Sequence, residues 1–400
     1  MSETMTIEGV DLWDGTESRG TSTLTWTVDG EDGAIASIAS ASVASGLSVI
    51  PGLIDTHVHL VGNASSTPSG FLTWPLVTRP EEQTLHGLAH ARRSLAGGVT
   101  TLRDLSANDV QFSLRRALDQ GLVDGPRVLA YGMVSMTGGH GDLFTPPAVL
   151  DRPPVADGPD ACRALVRHWA RAGADGIKIA TSGGVLSVGD KAAWRNHTAA
   201  EIDAIVDEAH ALGMRVAAHA HTPEGIRVAL DHGVDSIEHA TVLPDAEARR
   251  IKAAGITVAP TLLINDRIAQ GVGASEEQAA KARALMESRD VLLHAAAELG
   301  VDFVLGTDAN GFHVKFGEQM TEVREMARLF GWTPQRALQA ATSRAGAAVG
   351  REDLGRLAPA LPADLVVLRG RPWEAIDELS VDRIVAVVSR GRVVSGRLPA

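Results

Sequence analysis

The 400-residue sequence has little cysteine and few aromatic residues: one Cys, one Tyr and seven Phe. The single cysteine, Cys162, excludes a disulfide framework and a cysteine-rich metal site, and it is compatible with a reducing compartment. The sequence also lacks an apolar run of about eighteen residues and a basic amino-terminal segment followed by an apolar one, so it predicts neither a membrane span nor a secretory signal. The expected location is the cytoplasm.

Positive charge is also scarce. Lys and Arg together number 37 against 49 Asp and Glu, which gives a net charge of −12, and no stretch gathers the basic residues on one face. We therefore expect neither nucleic acid nor an anionic membrane as a partner. What the sequence does have is fourteen histidines and 44% hydrophobic residues, enough for a large core. With almost no cysteine, nitrogen and oxygen ligands are the expected carriers of any metal chemistry.

The order of apolar runs predicts an α/β fold, a (β/α)8 TIM barrel. Eight candidate strands alternate with helical segments, most of which end at a glycine, and this favours parallel strands joined by crossover helices. The candidate strands are residues 49–55, 100–104, 127–132, 176–180, 215–220, 235–240, 257–263 and 303–309. A doubly wound open sheet is the alternative. Because both chain ends have β texture, residues 1–50 and 352–400 are expected to form one small β-sandwich domain beside the barrel at 51–351.

Polar residues recur where the candidate strands end. Because the carboxyl ends of barrel strands meet on one face, these residues are expected to lie close together. His57 and His59 stand at positions i and i+2 of strand one, so both can face one ion. Lys178 lies inside the apolar run GIKIA, where burial opposes its charge. The remaining members are His219 and His221 on strand five, His239 on strand six and Asp308 on strand eight.

Each of these residues also has an ordinary structural interpretation. Lys178 could form a buried ion pair, and Asp308 could cap the segment that follows it. The spacing of His221 and Glu224 fits the HxxE pattern of a one-metal deaminase, but Pro223 and Glu224 also suit a helix start, which we favour. Glu318, Glu322 and Glu325 look like the solvated face of a helix.

Taken together, the motifs VIPGLIDTHVHL, DGIKIATSGG, VAAHAHTPEGI, DSIEHAT and LGTDANG resemble the amidohydrolase superfamily of metal-dependent hydrolases. The stretches MTGGHGD, KIATSGGVLS and VAPTLL are similar to the branch with prolidase-like Xaa-Pro and Xaa-Arg dipeptidases and ochratoxin-type amidases. Imidazolonepropionase is a more distant relative. Members of the family are commonly homo-oligomers.

The resemblance implies a centre of two divalent metal ions. In the family pattern His57, His59 and Asp308 bind one ion, His219 and His239 bind the other, and Lys178 becomes an N6-carboxylysine that bridges them. Such a bridge lessens the repulsion between cations about 3.5–4 Å apart, and the ions make a bridging hydroxide available at neutral pH. The charge balance of the ligands favours Zn²⁺, and the geometry alone would also admit manganese or cobalt.

The remaining site residues have expected roles in catalysis and substrate binding. Asp308 is suited to pass the water's proton to the leaving amine, and His221 to stabilise the oxyanion. His140, with the backbone of Gly184, Val185 and Leu186, is expected to contact a substrate carboxylate.

The predicted reaction is hydrolysis of the amide bond in a small N-acyl amino acid or dipeptide. The alternatives are a mononuclear deaminase or cyclic amidine or imidazolone hydrolase, and a binding protein that kept the barrel and lost catalysis.

Overall fold

The computed structural model of the protein describes residues 3–29, 32–62, 68–150 and 152–399. The strands of this part are β1 Glu3–Trp13, β2 Ser18–Asp29, β3 Asp32–Ser40, β4 Leu47–Pro51, β5 Leu53–Val58, β6 Val99–Ala107, β7 Arg127–Met133, β8 Gly176–Ala180, β9 Arg215–Ala220, β10 Ser236–His239, β11 Thr257–Ala259, β12 Asp302–Phe303, β13 Leu365–Arg369, β14 Ile384–Ser389 and β15 Arg392–Gly396. The α-helices are α1 Pro68–Val77, α2 Pro80–Ala96, α3 Asp109–Asp119, α4 Pro159–Ala172, α5 Ala199–Ala211, α6 Pro223–Asp231, α7 Asp245–Ala254, α8 Leu262–Ala269, α9 Glu276–Met286, α10 Arg289–Leu299, α11 Gln319–Phe330, α12 Pro334–Ala341 and α13 Ser343–Ala348.

Strands β5 to β12 form a parallel sheet in which each strand pairs with its neighbour in the chain. The sheet curls until its two ends meet. The backbone N–H of Thr56 donates to Leu305 O at 2.9 Å, and that of His59 donates to Ala309 O at 2.8 Å. These bonds join the first strand to the segment after the eighth, so the predicted (β/α)8 barrel is confirmed and the open doubly wound sheet is wrong.

A second, seven-stranded sheet contains both ends of the chain, in the order β15-β14-β13-β4-β1-β2-β3. Its pairs are antiparallel except β1 with β4. Alternate residues of its strands build a separate apolar core around Leu12, Leu24 and Val367. Trp26 is fully buried there, and its indole N–H donates to Gly391 O at 2.7 Å. The predicted composite sheet domain is therefore present, while its residue limits stay a prediction.

Glycines end many of the helices, as the sequence predicts. The six that precede the next strand all have a positive φ, which lets a helix stop without the steric cost that a side chain brings. They are Gly98, Gly173, Gly213, Gly233, Gly255 and Gly300. This confirms the helix-stop interpretation.

The strand predicted at 49–55 is wrong as one element. The chain leaves the seven-stranded sheet at Pro51 and enters the barrel at Leu53. Gly52 lies between the two sheets, and a Cβ built there would be 2.1 Å from the hydroxyl oxygen of Thr100. Only glycine fits where the two sheets approach so closely. The apolar run 49–55 therefore contributes residues to both sheets. Within the described residues, no helix has both the length and the apolar character to cross a membrane.

Candidate active site

The carboxyl ends of the barrel strands bring the predicted ligands together in two groups. The β5 half consists of His57, His59 and Asp308. Asp308 Oδ1 lies 3.0 Å from His59 Nε2 and 3.7 Å from His57 Nε2. The β9–β10 half consists of His219, His221 and His239, whose donor nitrogens all lie within 4.8 Å of one another. His239 also lies within this distance of His57 and Asp308, so the two halves are contiguous.

Four imidazoles of the site, those of His57, His219, His221 and His239, are buried, and their pKa values are lowered so that they are neutral. Burial lowers the pKa of His57 to about 4, and the nearby Lys178 adds to the effect. Burial likewise lowers the pKa of His221 to about 3. Burial opposes the ionisation of Asp308, but the neighbouring His57 and His59 hold its pKa at about 2. The site therefore offers neutral nitrogens and a carboxylate at neutral pH, the forms in which these groups bind metals.

Lys178 lines the same cavity as the two halves. Its positive charge lowers the pKa of His57, His219, His221 and His239. Its Nζ is buried and has no hydrogen-bond partner among the residues that the structure describes. Burial lowers its own pKa to about 8. An unpaired buried ammonium among imidazoles is costly, so this residue calls for a partner that the protein chain itself does not supply.

Hydrogen bonds from neighbouring strands fix the ring orientations. In the β5 half, His57 Nδ1 lies 2.9 Å from Glu238 Oε2, and His59 Nδ1 lies 2.8 Å from Ser106 Oγ. In the β9–β10 half the partners are neutral. They are Gly183 O for His219, Thr241 Oγ1 for His221 and Thr261 Oγ1 for His239. In each ring one nitrogen is occupied, which leaves the other for a ligand.

Sequence reasoning missed the residues that support His57. Glu238 is fully buried, and its second oxygen accepts a hydrogen bond from Arg103 at 2.8 Å. Arg103 also donates to Thr56 O and Ser236 Oγ. Both residues are buried charges in barrel strands that carry several other polar residues, so the sequence pattern did not single them out.

Strained backbone accompanies the site. Of the described residues, six that are not glycine have a positive φ, and four of these lie at or just after the ends of barrel strands: His239, Ala240, Thr261 and Asp308. A non-glycine residue pays a steric cost in this conformation, and such residues cluster at functional sites. Two of the four, His239 and Asp308, line the cavity.

His140 comes from the loop after β7 and stacks on His219, with 4.1 Å between the ring centroids. Its Nδ1 lies 3.3 Å from Ser187 Oγ. The Gly184 position allows this stacking, because a Cβ there would lie 2.2 Å from the His140 ring. The Gly184 N–H donates to Asp190 Oδ2 at 3.1 Å, so this amide is already used within the protein.

A cavity of about 1030 Å³ opens over both halves. Among the described residues its floor includes all seven predicted metal-site and catalytic side chains, namely His57, His59, Lys178, His219, His221, His239 and Asp308. Val185 and Leu186 line it as well, together with apolar side chains such as Phe144, Trp169 and Ile264. Besides Lys178, the basic side chain among the described lining residues is Arg152, which pairs with Asp142 at 2.7 Å.

The position of Glu224 distinguishes a helix start from the HxxE pattern of a one-metal deaminase. Glu224 lies in the first turn of α6, where Thr222 caps the helix, and 70% of its side chain is exposed. The helix-start interpretation is therefore confirmed.

The prediction of a solvated helix face is wrong for Glu322. This carboxylate is fully buried and accepts the backbone N–H groups of Leu262 and Leu263 at 2.6 and 2.9 Å, and burial raises its pKa to about 8.

Comparison with known proteins supports the resemblance seen in the motifs. The sequence model of the amidohydrolase family matches residues 48–394. The chain is 30% identical to ochratoxinase of Aspergillus niger, over 86% of this chain and 74% of that protein. It is 28% identical to imidazolonepropionase of Streptomyces avermitilis, over 81% of this chain and 74% of that protein.

A solved structure extends the likeness to the whole fold. The crystal structure of a Xaa-Pro dipeptidase with methionine bound in its active site has a TM-score of 0.88 and 31% identity, covering 98% of this chain and 99% of that one. The predicted resemblance is thus confirmed. The chain belongs to the amidohydrolase family, a generally metal-dependent group, and is a hydrolase that acts on C–N bonds.

Proposed function

We propose that the protein is a binuclear metal-dependent amidohydrolase that cleaves the amide bond of a small N-acyl amino acid or dipeptide. The observation that carries the proposal is the Lys178 Nζ, which has no partner among the described residues and lines one cavity together with two groups of metal-ligand side chains. A group of relatives that includes ochratoxinase and a Xaa-Pro dipeptidase supports amide hydrolysis as the reaction.

The donor set fits two divalent cations. The β5 half offers two imidazoles and a carboxylate, and the β9–β10 half offers imidazoles only, which favours Zn²⁺. A Lys178 with a lowered pKa has a share of free amine, and addition of CO2 to this amine forms a carbamate with release of one proton. The carbamate changes the unpaired cation into an anion that faces both halves. When bound, the ions lower the pKa of a coordinated water and polarise the substrate carbonyl.

Asp308 and His221 are placed for the proton transfers. Asp308 is ionised at neutral pH, so it can accept a proton from the attacking water and give it to the amine nitrogen when the C–N bond breaks. His221 is held by Thr241 on one ring nitrogen, which turns the other towards the cavity floor. In this position it can donate to the carbonyl oxygen as negative charge develops there.

The cavity walls suggest how the substrate is held. Apolar side chains dominate, so a hydrophobic acyl or amino-acid group suits the volume. His140 and Arg152 are the donors available to a carboxylate. Arg152 leads to a direct test, because Arg152→Met should raise KM for carboxylate substrates much more than it lowers kcat.

The experiment that tests the function is a screen of N-acyl amino acids and of Xaa-Pro and Xaa-Arg dipeptides with the zinc-loaded protein, scored by release of the amine. Asp308→Asn is the control that should abolish the release. Two zinc ions bound by the cavity residues of each chain support the proposal. One ion bound there, with ammonia released from heterocycles and no amine released from the amides, would overturn it in favour of a mononuclear deaminase.

A further inference from the structure

A second group of metal-ligand side chains lies outside the cavity, where α4 packs against α5. Cys162 is in α4, His197 precedes α5, and Glu201 is in the first turn of α5. The Cys162 sulfur, the His197 Nδ1 and a Glu201 carboxylate oxygen all lie within 4.8 Å of one another. None of the three lines the cavity. This group, called here the α4–α5 trio, is unrelated to the proposed reaction.

The tautomer of His197 leaves a lone pair facing the trio. Its Nε2 lies 3.1 Å from the carbonyl oxygen of Val134, which can only accept, so Nε2 carries the proton. Nδ1 therefore has a lone pair, and within the described part of the chain it has no hydrogen-bond partner, although the side chain is 1% exposed. Metal-bound histidines commonly use their other ring nitrogen to donate to a backbone carbonyl in this way.

The Glu201 carboxylate is fixed in place from the other side. One oxygen accepts the Thr198 N–H and hydroxyl at 2.7 and 2.8 Å, and the other accepts the Gly158 N–H at 2.7 Å. Its pKa is lowered: burial opposes ionisation, but these hydrogen bonds outweigh it. The oxygen that accepts only the Gly158 N–H keeps a second lone pair, so the carboxylate can bind a cation while it keeps these bonds. Its side chain is 11% exposed, which gives an ion a path from solvent.

Cys162 completes the trio with a soft ligand. The side chain is fully buried, and its sulfur lies 3.8 Å from Ala156 O. Burial raises the pKa of the thiol to about 12, so without a cation it stays protonated. A cation bound by the sulfur displaces this proton to solvent.

We propose that Cys162, His197 and Glu201 form a structural zinc site that joins α4 to the start of α5. A sulfur, an imidazole nitrogen and a carboxylate oxygen are ligands that Zn²⁺ accepts together, and burial from water suits a closed structural site. Bound zinc would also use the His197 lone pair that the fold leaves without a partner.

Cobalt offers a specific probe, because Cys162 is the one cysteine of the sequence and the active site offers only nitrogen and oxygen donors. The purified full-length protein is stripped with a chelator and loaded with Co²⁺. We expect a near-ultraviolet thiolate-to-cobalt charge-transfer band in the wild type. Cys162→Ser should lose this band, and His197→Asn should weaken or lose it. His294→Asn, a change of an exposed histidine in α10, should keep it.

Zinc counting gives an independent measure. We expect Cys162→Ser to hold one zinc per chain less than the wild type and His294→Asn to hold the same number. A wild-type protein with no charge-transfer band would overturn the proposal, and this measurement needs no substitution that could disturb folding. Equal zinc contents in the wild type and Cys162→Ser would overturn it as well.

Discussion

The two halves of the active site are built from the same side chain but rest on different chemistry. In the β5 half, His57 is backed by the Glu238 carboxylate, which a buried arginine holds in turn, and Asp308 adds a second negative charge. In the β9–β10 half the supports are neutral: two threonine hydroxyls and a backbone carbonyl. Negative charge is therefore concentrated on one side of the cavity floor.

This difference predicts that the two halves hold their ions unequally. A carboxylate behind an imidazole raises its basicity as a ligand, whereas a hydroxyl only orients the ring. The β5 half should bind its ion more tightly, and a chelator should remove the ion of the β9–β10 half first. His140, which is expected to contact substrate, stacks on His219. The half with the weaker metal binding, β9–β10, therefore lies next to the expected substrate site.

Lys178→Ala is expected to have the largest effect, because the proposed carbamate of Lys178 would serve the ions of both halves. Activity should fall on the order of 10³-fold or more in kcat/KM, as for the loss of a group that acts in the reaction itself. Metal content should fall by at least about one ion per chain. Activity assays and elemental analysis check these outcomes. Lys252→Ala, on the exposed side of α7, is the matched control, and full activity with one ion in Lys178→Ala would contradict the binuclear site.

Glu238→Gln should weaken the β5 half alone. The amide keeps the shape of the carboxylate but leaves the buried Arg103 without its charged partner, so we expect a loss of about 3–5 kcal/mol in the free energy of unfolding. Affinity for the ion of the β5 half should fall about 10–100-fold. Denaturant unfolding and metal titration measure the two effects. Glu276→Gln, which breaks a surface pair with Arg283, should change the stability by about 1 kcal/mol or less.

The order in which a chelator removes the ions gives the contradicting outcome for Glu238→Gln. The wild type should lose the ion of the β9–β10 half first, and this variant should reverse or erase that order. If the order stays the same, the carboxylate behind His57 does not set the difference between the halves.

The positions of the site residues were predictable because they depend on local pattern. Strands 176–180 and 215–220 were predicted with the bounds that the structure has, since each is a short apolar run between a glycine or turn and a polar residue. Parallel strands in a barrel must end on one face, so Lys178 and His219 could be placed together from the sequence.

The supports were not predictable in the same way, because they depend on which strands face each other across the barrel. Arg103 and Glu238 are 135 residues apart, and nothing in either strand specifies the other. The spacing of Glu322 with its neighbours on α11 indicated an exposed face. Packing of α11 against the start of α8 overrides this pattern and buries the carboxylate.

Thr261→Val should affect the β9–β10 half, and less strongly than Glu238→Gln affects the other half, because no charge is removed. His239 loses the hydroxyl that lies 2.7 Å from its Nδ1. We expect a loss of about tenfold in affinity for the ion of this half. Thr261→Ser keeps the hydroxyl and should restore the affinity, as metal titration will show. If Thr261→Val and Thr261→Ser weaken binding equally, the hydroxyl has no part in holding His239.

Glu322→Gln should have the smallest effect on activity, and its effect on stability should depend on pH. Glu322 fixes the start of α8 and therefore the preceding residue, Thr261. Because Thr261 contacts His239, Glu322 supports the β9–β10 half indirectly. Because burial raises the pKa of Glu322 to about 8 in the folded protein, above its ordinary value of 4.5, its contribution to stability is complete below pH 4.5. This contribution is lost as the pH rises through 8.

Glutamine does not ionise, but its amide nitrogen cannot accept one of the two backbone N–H groups that the carboxyl oxygens accept. Glu322→Gln should therefore unfold at a lower denaturant concentration than the wild type at pH 5, and this deficit should shrink or reverse at pH 9. Glu325→Gln, on the more exposed side of the same helix, should show no such pH dependence. A deficit of Glu322→Gln that grows between pH 5 and pH 9 would mean that the carboxylate is ionised and favourable at the α8 terminus. In that case both halves would have a negatively charged support. They would differ only in how far this charge lies from the metal ligands, because Glu238 contacts His57 directly whereas Glu322 acts on His239 through Thr261.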